Sequence, residues 1–219
     1  MRMDRRMIFS VAVVLCATAL TGCATGTTNQ PVPATGSTSA AIETAPAPAA
    51  ANSAALACAA GSQSASQTPE LTEGPFFKAN SPERASLLET NTAGTKLVIT
   101  GTVYTTDCQP VAHALLDFWQ ADANGAYDNS GYILRGHQYT DANGRYQLTT
   151  IVPGLYTGRT EHVHVKVQAP NGPVITTQLF FPGVPQNDSD GIFNPALLMV
   201  IQQGSDGEQG QYNFVVPTQ

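Results

Sequence analysis

The most informative stretch of this chain is Gly154-Leu155-Tyr156-Thr157-Gly158-Arg159-Thr160-Glu161-His162-Val163-His164. It continues as Val165-Lys166-Val167, so that apolar and polar residues alternate as they do in a β-strand. Residues two apart in a strand point to the same face, so the two imidazoles emerge side by side while the valines face the other way. The pattern predicts a strand with one apolar face for a core and one face that presents two histidines.

Similar short runs recur along the chain, with turn signals between them. The runs are Lys96–Tyr104, Ala114–Gln120, Arg145–Ile151, Val174–Phe181, Leu197–Gln202 and Gln211–Val216. Together with the histidine strand, they predict an all-β fold, a β-sandwich of about seven or more short strands with long functional loops. One short helical turn is predicted from Pro82 to Leu88.

The first residues read as an export signal. Arg2, Arg5 and Arg6 precede an apolar run from Met7 to Leu20, which is too short for a comfortable membrane span. The run ends in Leu20-Thr21-Gly22-Cys23, which resembles the bacterial lipobox. We therefore predict a lipoprotein signal peptide over residues 1–22 and lipidation of Cys23. An ordinary signal peptide, or an anchor helix with an incidental cysteine, is the alternative.

Residues 23–67 are mostly Ala, Thr, Ser, Pro and Gly, and they cannot bury enough surface to offset their ordering entropy. We interpret them as a flexible tether and residues 68–219 as the folded domain. The protein would then be exported and lipid-anchored to the bacterial cell envelope, in the periplasm or at the cell surface. The sequence does not distinguish the inner from the outer membrane, nor does it fix the oligomeric state.

Cysteine content and charge narrow the chemistry further. Cys16 would leave with the signal peptide and Cys23 would carry lipid, so Cys58 and Cys108 remain, and an exported compartment permits a disulfide between them. Two free thiols are the alternative, because two cysteines fix no connectivity pattern. The formal net charge is −6, and no phosphate-binding surface is apparent, so nucleic acid is not an expected partner.

The histidine strand has tyrosines near it that suggest a metal site. Tyr156 lies in the turn that enters the strand, and Tyr127 follows a polar turn after another strand. Two phenolates with two imidazoles suit a hard trivalent ion such as iron(III), whereas no Cys–His cluster suits structural zinc. The plainer interpretation is that His162 and His164 belong to a solvated strand face with no role.

Several motifs, in order, resemble the intradiol ring-cleavage dioxygenases, the family of catechol 1,2-dioxygenase and protocatechuate 3,4-dioxygenase. The resemblance is closest to the exported members. The matching segments are Leu71–Phe77, Asp117–Asp122, Gly125–Tyr127, Leu134–Gly136, Thr140–Tyr146, Thr150–Gly154, Tyr156–His164 and Thr177–Gln178.

The resemblance implies a site and a reaction. Tyr127, Tyr156, His162 and His164 would bind a non-haem iron(III). Arg159 would stabilise charge on the bound catecholate, Gln178 would line the site, and Tyr156 would take a substrate proton. The expected reaction uses O2 to cleave a catechol between its two hydroxyls, giving a cis,cis-muconate-type product.

Other features of the sequence leave alternatives open. The loop between Tyr156 and His162 is short compared with the better-known members of that family, so the resemblance does not carry over their substrate size. Trp119 is expected in the core, and His113 and His137 at the surface or in turns. Asp188, Asp190 and Asp206 lie in polar turns with only weak calcium spacing. The alternative function is a non-enzymatic surface β-sandwich that binds carbohydrate or protein and has a degenerate metal site.

Overall fold

The structure is a computed structural model, and it describes residues 54–59 and 62–218. Within these residues, nine strands form two sheets, with two short 3-10 helices at Pro185–Asp188 and Pro195–Leu197. The strands are β1 Lys96–Thr105, β2 Leu115–Trp119, β3 Arg135–Tyr139, β4 Arg145–Ile151, β5 His162–Gln168, β6 Val174–Phe180, β7 Val200–Gly204, β8 Gly207–Gln211 and β9 Phe214–Val216. The predicted β-sandwich is confirmed.

One sheet has the order β3-β2-β5-β6, in which every neighbouring pair is antiparallel. The other has the order β4-β1-β8-β7, and β9 also pairs with β1. In that sheet β1 is antiparallel to β4 but parallel to β8 and β9. We call the first the histidine sheet and the second the β1 sheet.

Alternation along the strands builds the core between the sheets. Val163, Val165 and Val167 of β5 are fully buried, as are Leu97 and Ile99 of β1. Each such side chain contributes roughly 1.5–3 kcal/mol when it leaves water. Because the valines take the core face of β5, its histidines lie on the outer face of the histidine sheet, as predicted.

Three elements differ from the sequence predictions. Strands β3 and β8 were not predicted, because their core-facing positions include Gly136, Gln138 and Gly210 rather than a run of apolar residues. The predicted helical turn at Pro82–Leu88 is wrong. The backbone there is extended, and the amides of Arg84 and Leu87 donate to the carbonyls of His137 and Thr149.

The described part of the predicted tether lies against the sandwich. Ala55 is fully buried, and its carbonyl accepts a hydrogen bond from the Asn213 amide at 2.7 Å. Cys58 and Cys108 form a disulfide that closes a separation of 50 residues. Residues around these two cysteines therefore pack on the domain rather than leading away from it. The predicted signal peptide and Cys23 lie outside the described residues.

Candidate functional site

Strand β5 brings the two histidines together on the outer face of the histidine sheet. His162 and His164 are both buried, and their Nε2 atoms are 3.1 Å apart. In the sheet register, His164 lies between Trp119 of β2 and Gln178 of β6. The indole of Trp119 stacks on the His164 ring with 4.8 Å between centroids. The sheet therefore holds one imidazole between a fixed aromatic plane and a buried amide.

The loop after β2 carries Tyr127 to the histidines. The Asp122 carboxylate accepts hydrogen bonds from the amides of Asn124 and Ala126, which shapes the turn. Gly125 has φ +81°, and a Cβ on it would lie 2.1 Å from the Leu155 carbonyl oxygen, so this turn requires glycine. The Tyr127 hydroxyl consequently reaches to within 3.1 Å of His162 Nε2.

Tyr156 lies beside Tyr127, in the turn that leads into β5. The two rings meet edge to face, with centroids 5.9 Å apart. Phe76 stacks on Tyr127 at 4.3 Å and contacts the Tyr156 ring edge-on at 5.3 Å. The structure thus gathers four residues predicted as ligands: Tyr127, Tyr156, His162 and His164.

Arg159 and Gln178, the other two predicted site residues, contact each other. The Arg159 Nη2 donates to Gln178 Oε1 at 2.6 Å, and Gln178 Nε2 donates to the Thr72 carbonyl at 3.0 Å. Gln178 is fully buried, opposite His164 in the register. Arg159 also forms an ion pair with Asp190 at 2.9 Å. This pair holds the guanidinium in one place beside the histidines.

Burial controls the protonation of the site. It lowers the pKa of His162 to about 4, although a hydrogen bond to the Thr160 carbonyl opposes the shift. Burial, and then the neighbouring His162, take the pKa of His164 well below its ordinary value. Burial raises the pKa of Tyr127, against the opposing charges of Arg159 and Arg135. In the metal-free protein at neutral pH the imidazoles are neutral and Tyr127 is a phenol.

The hydrogen bonds also fix one tautomer. His162 Nδ1 lies 2.6 Å from the Thr160 carbonyl oxygen, which can only accept, so Nδ1 carries the proton. Its Nε2 therefore presents a lone pair toward both His164 Nε2 and the Tyr127 hydroxyl. His164 Nδ1 is buried and has no hydrogen-bond partner.

This donor set fits a metal ion. Donor atoms that share one ion sit about 3 Å apart, because each metal–nitrogen bond is about 2.1 Å. The two separations of 3.1 Å meet that condition. Neutral imidazoles with a converging phenol offer lone pairs that a cation would satisfy, and iron accepts such ligands. The predicted set includes two phenols, and within residues 54–59 and 62–218 no group of three or more His, Cys, Asp or Glu is placed to hold a metal.

Sequence reasoning missed several residues that shape the site. Trp119 is buried as expected, but it lies on the outer face of its sheet against His164. The sequence places Asp190 in a polar turn, yet its side chain is buried against Arg159. Arg135 is fully buried, and its guanidinium donates to the carbonyl of Asp128, which follows Tyr127, and to that of Phe76, whose ring stacks on Tyr127. The cross-strand position of Arg135 beside Trp119 would have indicated its place, had β3 been predicted.

Comparison with known proteins identifies the family of this chain. The sequence model of the family described as Dioxygenase (Dioxygenase_C) matches residues 72–215. The chain is 32% identical, over 174 residues, to chlorocatechol 1,2-dioxygenase of Pseudomonas sp. strain P51, a match that covers 66% of this chain and 68% of that protein. The matches to several other curated catechol-type dioxygenases span about half of their length.

Two solved structures are also similar. One is the dioxygenase domain of a dioxygenase–carbohydrate-binding protein fusion from Streptomyces sp. SirexAA-E, at TM-score 0.69 and 51% identity, covering 70% of this chain and 100% of that one. The other is 3-chlorocatechol 1,2-dioxygenase from Rhodococcus opacus, at TM-score 0.64 and 29% identity, covering 69% of this chain and 73% of that one. With the family match over residues 72–215, these likenesses show that the chain belongs to the intradiol dioxygenase family.

Proposed function

We propose that this protein is an intradiol ring-cleaving dioxygenase that opens a catechol between its two hydroxyls, using O2, to give a cis,cis-muconate-type diacid. Tyr127, Tyr156, His162 and His164 would hold a non-haem iron(III). The observation that carries the proposal is the convergence of the Tyr127 hydroxyl and the two Nε2 atoms at 3.1 Å spacing, beside Arg159.

Iron(III), when bound, supplies a Lewis acid for both catechol oxygens and the redox character that lets the ring react with O2. The protein supplies the rest. A catechol must lose two protons to bind through both oxygens. Tyr156, which is half-buried and lies against Tyr127, would accept one of them, and hydroxide would take the other. Arg159 provides a fixed positive charge where negative charge develops on the substrate. Its bonds to Gln178 and Asp190 are already formed, so it requires little reorganisation.

The test of this proposal begins with the metal. Purified protein should contain about one iron per chain and show a broad visible band from tyrosinate-to-iron charge transfer, since two phenolates are proposed as ligands. Oxygen uptake with a small panel of catechols, together with product spectra, should show ring opening. Stoichiometric zinc in active protein, without a visible band, would rule out the iron assignment.

A second experiment tests the role of Tyr156. In Tyr156→Phe, three proposed ligands remain, so iron should be retained. A phenyl ring cannot accept a proton, and the loss of a positioned base typically slows turnover by about 10²–10⁴-fold. Iron content and oxygen uptake are measured on the same sample. A Tyr156→Phe enzyme with full iron and full activity would contradict the proposed role.

The alternative, a non-enzymatic surface module with a degenerate metal site, makes different predictions. Such a module would be colourless and would not consume oxygen. The full set of two tyrosines, two histidines and Arg159 speaks against it, since degeneration would be expected to remove at least one of them. The visible spectrum therefore distinguishes the two functions in one measurement.

We also propose that the protein is exported and anchored to the cell envelope through lipid on Cys23. The support is the order of charge, apolar run and Leu20-Thr21-Gly22-Cys23. In residues 54–59 and 62–218, no helix has the length and apolar character needed to span a membrane. Cys23→Ser should release the protein from the membrane fraction or block processing of its precursor. Unchanged processing and membrane association would refute the anchor.

A further inference from the structure

The buried carboxylate of Asp190 contacts the site at two points. Its Oδ2 accepts from Arg159 Nε and from the Thr160 amide, both at 2.9 Å, and its Oδ1 accepts from the Ile192 amide at 2.9 Å. Only 1% of the Asp190 side chain is exposed. A buried charge with both oxygens engaged in this way is fixed in position.

Thr160 extends this network to the histidines. The residue is fully buried, its amide donates to Asp190, and its carbonyl accepts from His162 Nδ1 at 2.6 Å. Its hydroxyl donates to Asn187 Oδ1 at 2.6 Å, which ties it again to the loop that carries Asp190. The carbonyl that selects the His162 tautomer therefore belongs to a peptide segment whose amide is held by Asp190.

Arg159 extends the network on the other side. Its Nε is held by Asp190, and its Nη2 is held by Gln178, which lies beside His164. Among the described residues, the guanidinium thus has two hydrogen-bond partners, and of these only Asp190 carries a charge. Removing that carboxylate would leave a partly buried cation with one neutral acceptor, and it would be free to turn toward solvent.

We propose that Asp190 is a positioning residue that sets both the direction of the Arg159 guanidinium and, through Thr160, the Nδ1–H tautomer of His162. The first half rests on the proposed dioxygenase function, whereas the second can be observed without any metal or substrate. Groups that orient metal-binding histidines through their second ring nitrogen commonly change activity or metal affinity by about 10–100-fold when removed.

Two substitutions at Asp190 test its effect on Arg159 separately from its effect on the His162 tautomer. Asp190→Asn keeps one oxygen that can accept from the Thr160 amide and from Arg159, but it removes the negative charge. Asp190→Ala removes both. Asp188→Asn is the matched control, because Asp188 is an exposed carboxylate two residues earlier in the same loop.

The first measurement is nitrogen-15 NMR of the imidazoles in metal-free protein at neutral pH. Wild type, Asp188→Asn and Asp190→Asn should show His162 as the Nδ1–H tautomer. Asp190→Ala should show a mixture of both tautomers. An unchanged His162 spectrum in Asp190→Ala would overturn the tautomer half of the proposal.

The second measurement is steady-state oxygen uptake by iron-loaded enzyme, with iron content determined in parallel. Asp190→Asn should retain its iron, and kcat/KM for catechol should fall about 10-fold, with Asp190→Ala falling by up to about 100-fold. Asp188→Asn should match wild type. A purely structural Asp190 would lower the melting temperature while leaving kcat/KM and the tautomer unchanged, and that result would refute the proposal.

The proposal and the assigned function fail in different ways. Wild-type protein without an iron band or oxygen uptake would remove the dioxygenase function, while the NMR experiment would still decide the link from Asp190 to His162. If Asp190→Ala does not fold, the nearly isosteric Asp190→Asn still decides the charge half. Wild-type kcat/KM in that variant would contradict it.

Discussion

Both sheets of this sandwich carry polar side chains on their outer faces, but these side chains are exposed on one sheet and buried on the other. On the β1 sheet, the outward-facing Gln147, Gln209 and Gln211 are exposed to water. On the histidine sheet, Arg135, Trp119, His164 and Gln178 lie side by side across four strands, and each is at most 3% exposed. Alternation in the sequence predicts a polar outer face for both sheets. Only the structure shows that one of those faces is covered.

The cover is built from the segment that precedes β1 and from the loops between strands. Lys166 of β5 pairs with Glu73 and lies 3.6 Å from the centroid of the Phe77 ring. The Ser81 hydroxyl donates to the Asp117 carboxylate of β2 at 2.7 Å. Polar groups of the sheet thus anchor the segment that removes them from water.

The covered face of the histidine sheet contains buried polar atoms that make no hydrogen bond. Three buried side-chain polar atoms in the described residues lack a hydrogen-bond partner, and two of them, Trp119 Nε1 and His164 Nδ1, belong to the stacked pair of the covered face. Each such atom typically costs about 1–3 kcal/mol. A face that retains such costs is under a requirement other than stability.

The strongest contrast is expected between two variants, each with one residue of an outer sheet face replaced. His162→Ala should lose iron and turnover, because it removes a ligand proposed to stay bound throughout the reaction. Gln209→Ala, on the exposed face of the β1 sheet, should retain both. Metal analysis and oxygen uptake test the pair, with circular dichroism to establish that each variant is folded. Full iron in His162→Ala would mean that the covered face does not hold the metal.

The disulfide offers a way to weaken the protein without touching the covered face. Cys58→Ser with Cys108→Ser removes a cross-link over 50 residues, which should cost about 4 kcal/mol of unfolding free energy. The double variant, once folded and iron-loaded, should still turn over at the wild-type rate. Urea unfolding and oxygen uptake separate the two quantities. A large loss of activity in the folded variant would show that the residues near Cys58 also support the site.

Two arginines give a matched pair for stability. Arg135→Met leaves the carbonyls of Asp128 and Phe76 without their donor in a buried place, at a cost of about 3 kcal/mol. Arg145→Met lies on the exposed face of the β1 sheet and should change stability by less than about 0.5 kcal/mol. Denaturant unfolding of both variants is the measurement. Equal losses of stability in the two variants would show that the buried Arg135 side chain matters no more for stability than the exposed Arg145 side chain.

Local patterns predicted the strands whose core faces are apolar. The expected bounds of β4 match the structure, and those of β1, β2 and β6 match within two residues, because their branched and aromatic residues alternate. Strands β3 and β8 could not be predicted, because glycine and glutamine occupy core-facing positions in them and the partner strands supply the apolar side chains. The helical turn predicted for Pro82–Leu88 does not form, because amides of this segment donate to strands that lie far away in the sequence.

The candidate site divides in the same way. Tyr156, Arg159, His162 and His164 fall within one short stretch, so spacing and strand geometry place them together. Asp190 is 31 residues from Arg159, and nothing in its polar turn indicates that the loop folds back over β5. Residues that orient the site depend on long-range contacts, which a single sequence does not contain.

The smallest expected effect is a pH dependence that belongs to the covered face. Burial lowers the pKa of His162 to about 4 and lowers that of His164 as well, so the unfolded chain binds more protons than the folded one between about pH 6.5 and 4. The free energy of unfolding of the metal-free protein should therefore decrease as the pH is lowered through this window. His162 alone should account for about 2 kcal/mol between pH 7 and 5. Carboxylates whose pKa is lowered, such as Asp190, lose their contribution only below about pH 4. Urea unfolding of chelator-treated protein at several pH values measures the effect, with His113→Gln as an exposed control. In His162→Gln, the unfolding free energy should depend less on pH above pH 4, because the contribution of this imidazole is removed. A profile that stays the same in His162→Gln would show that this imidazole is not the group held neutral beneath the cover.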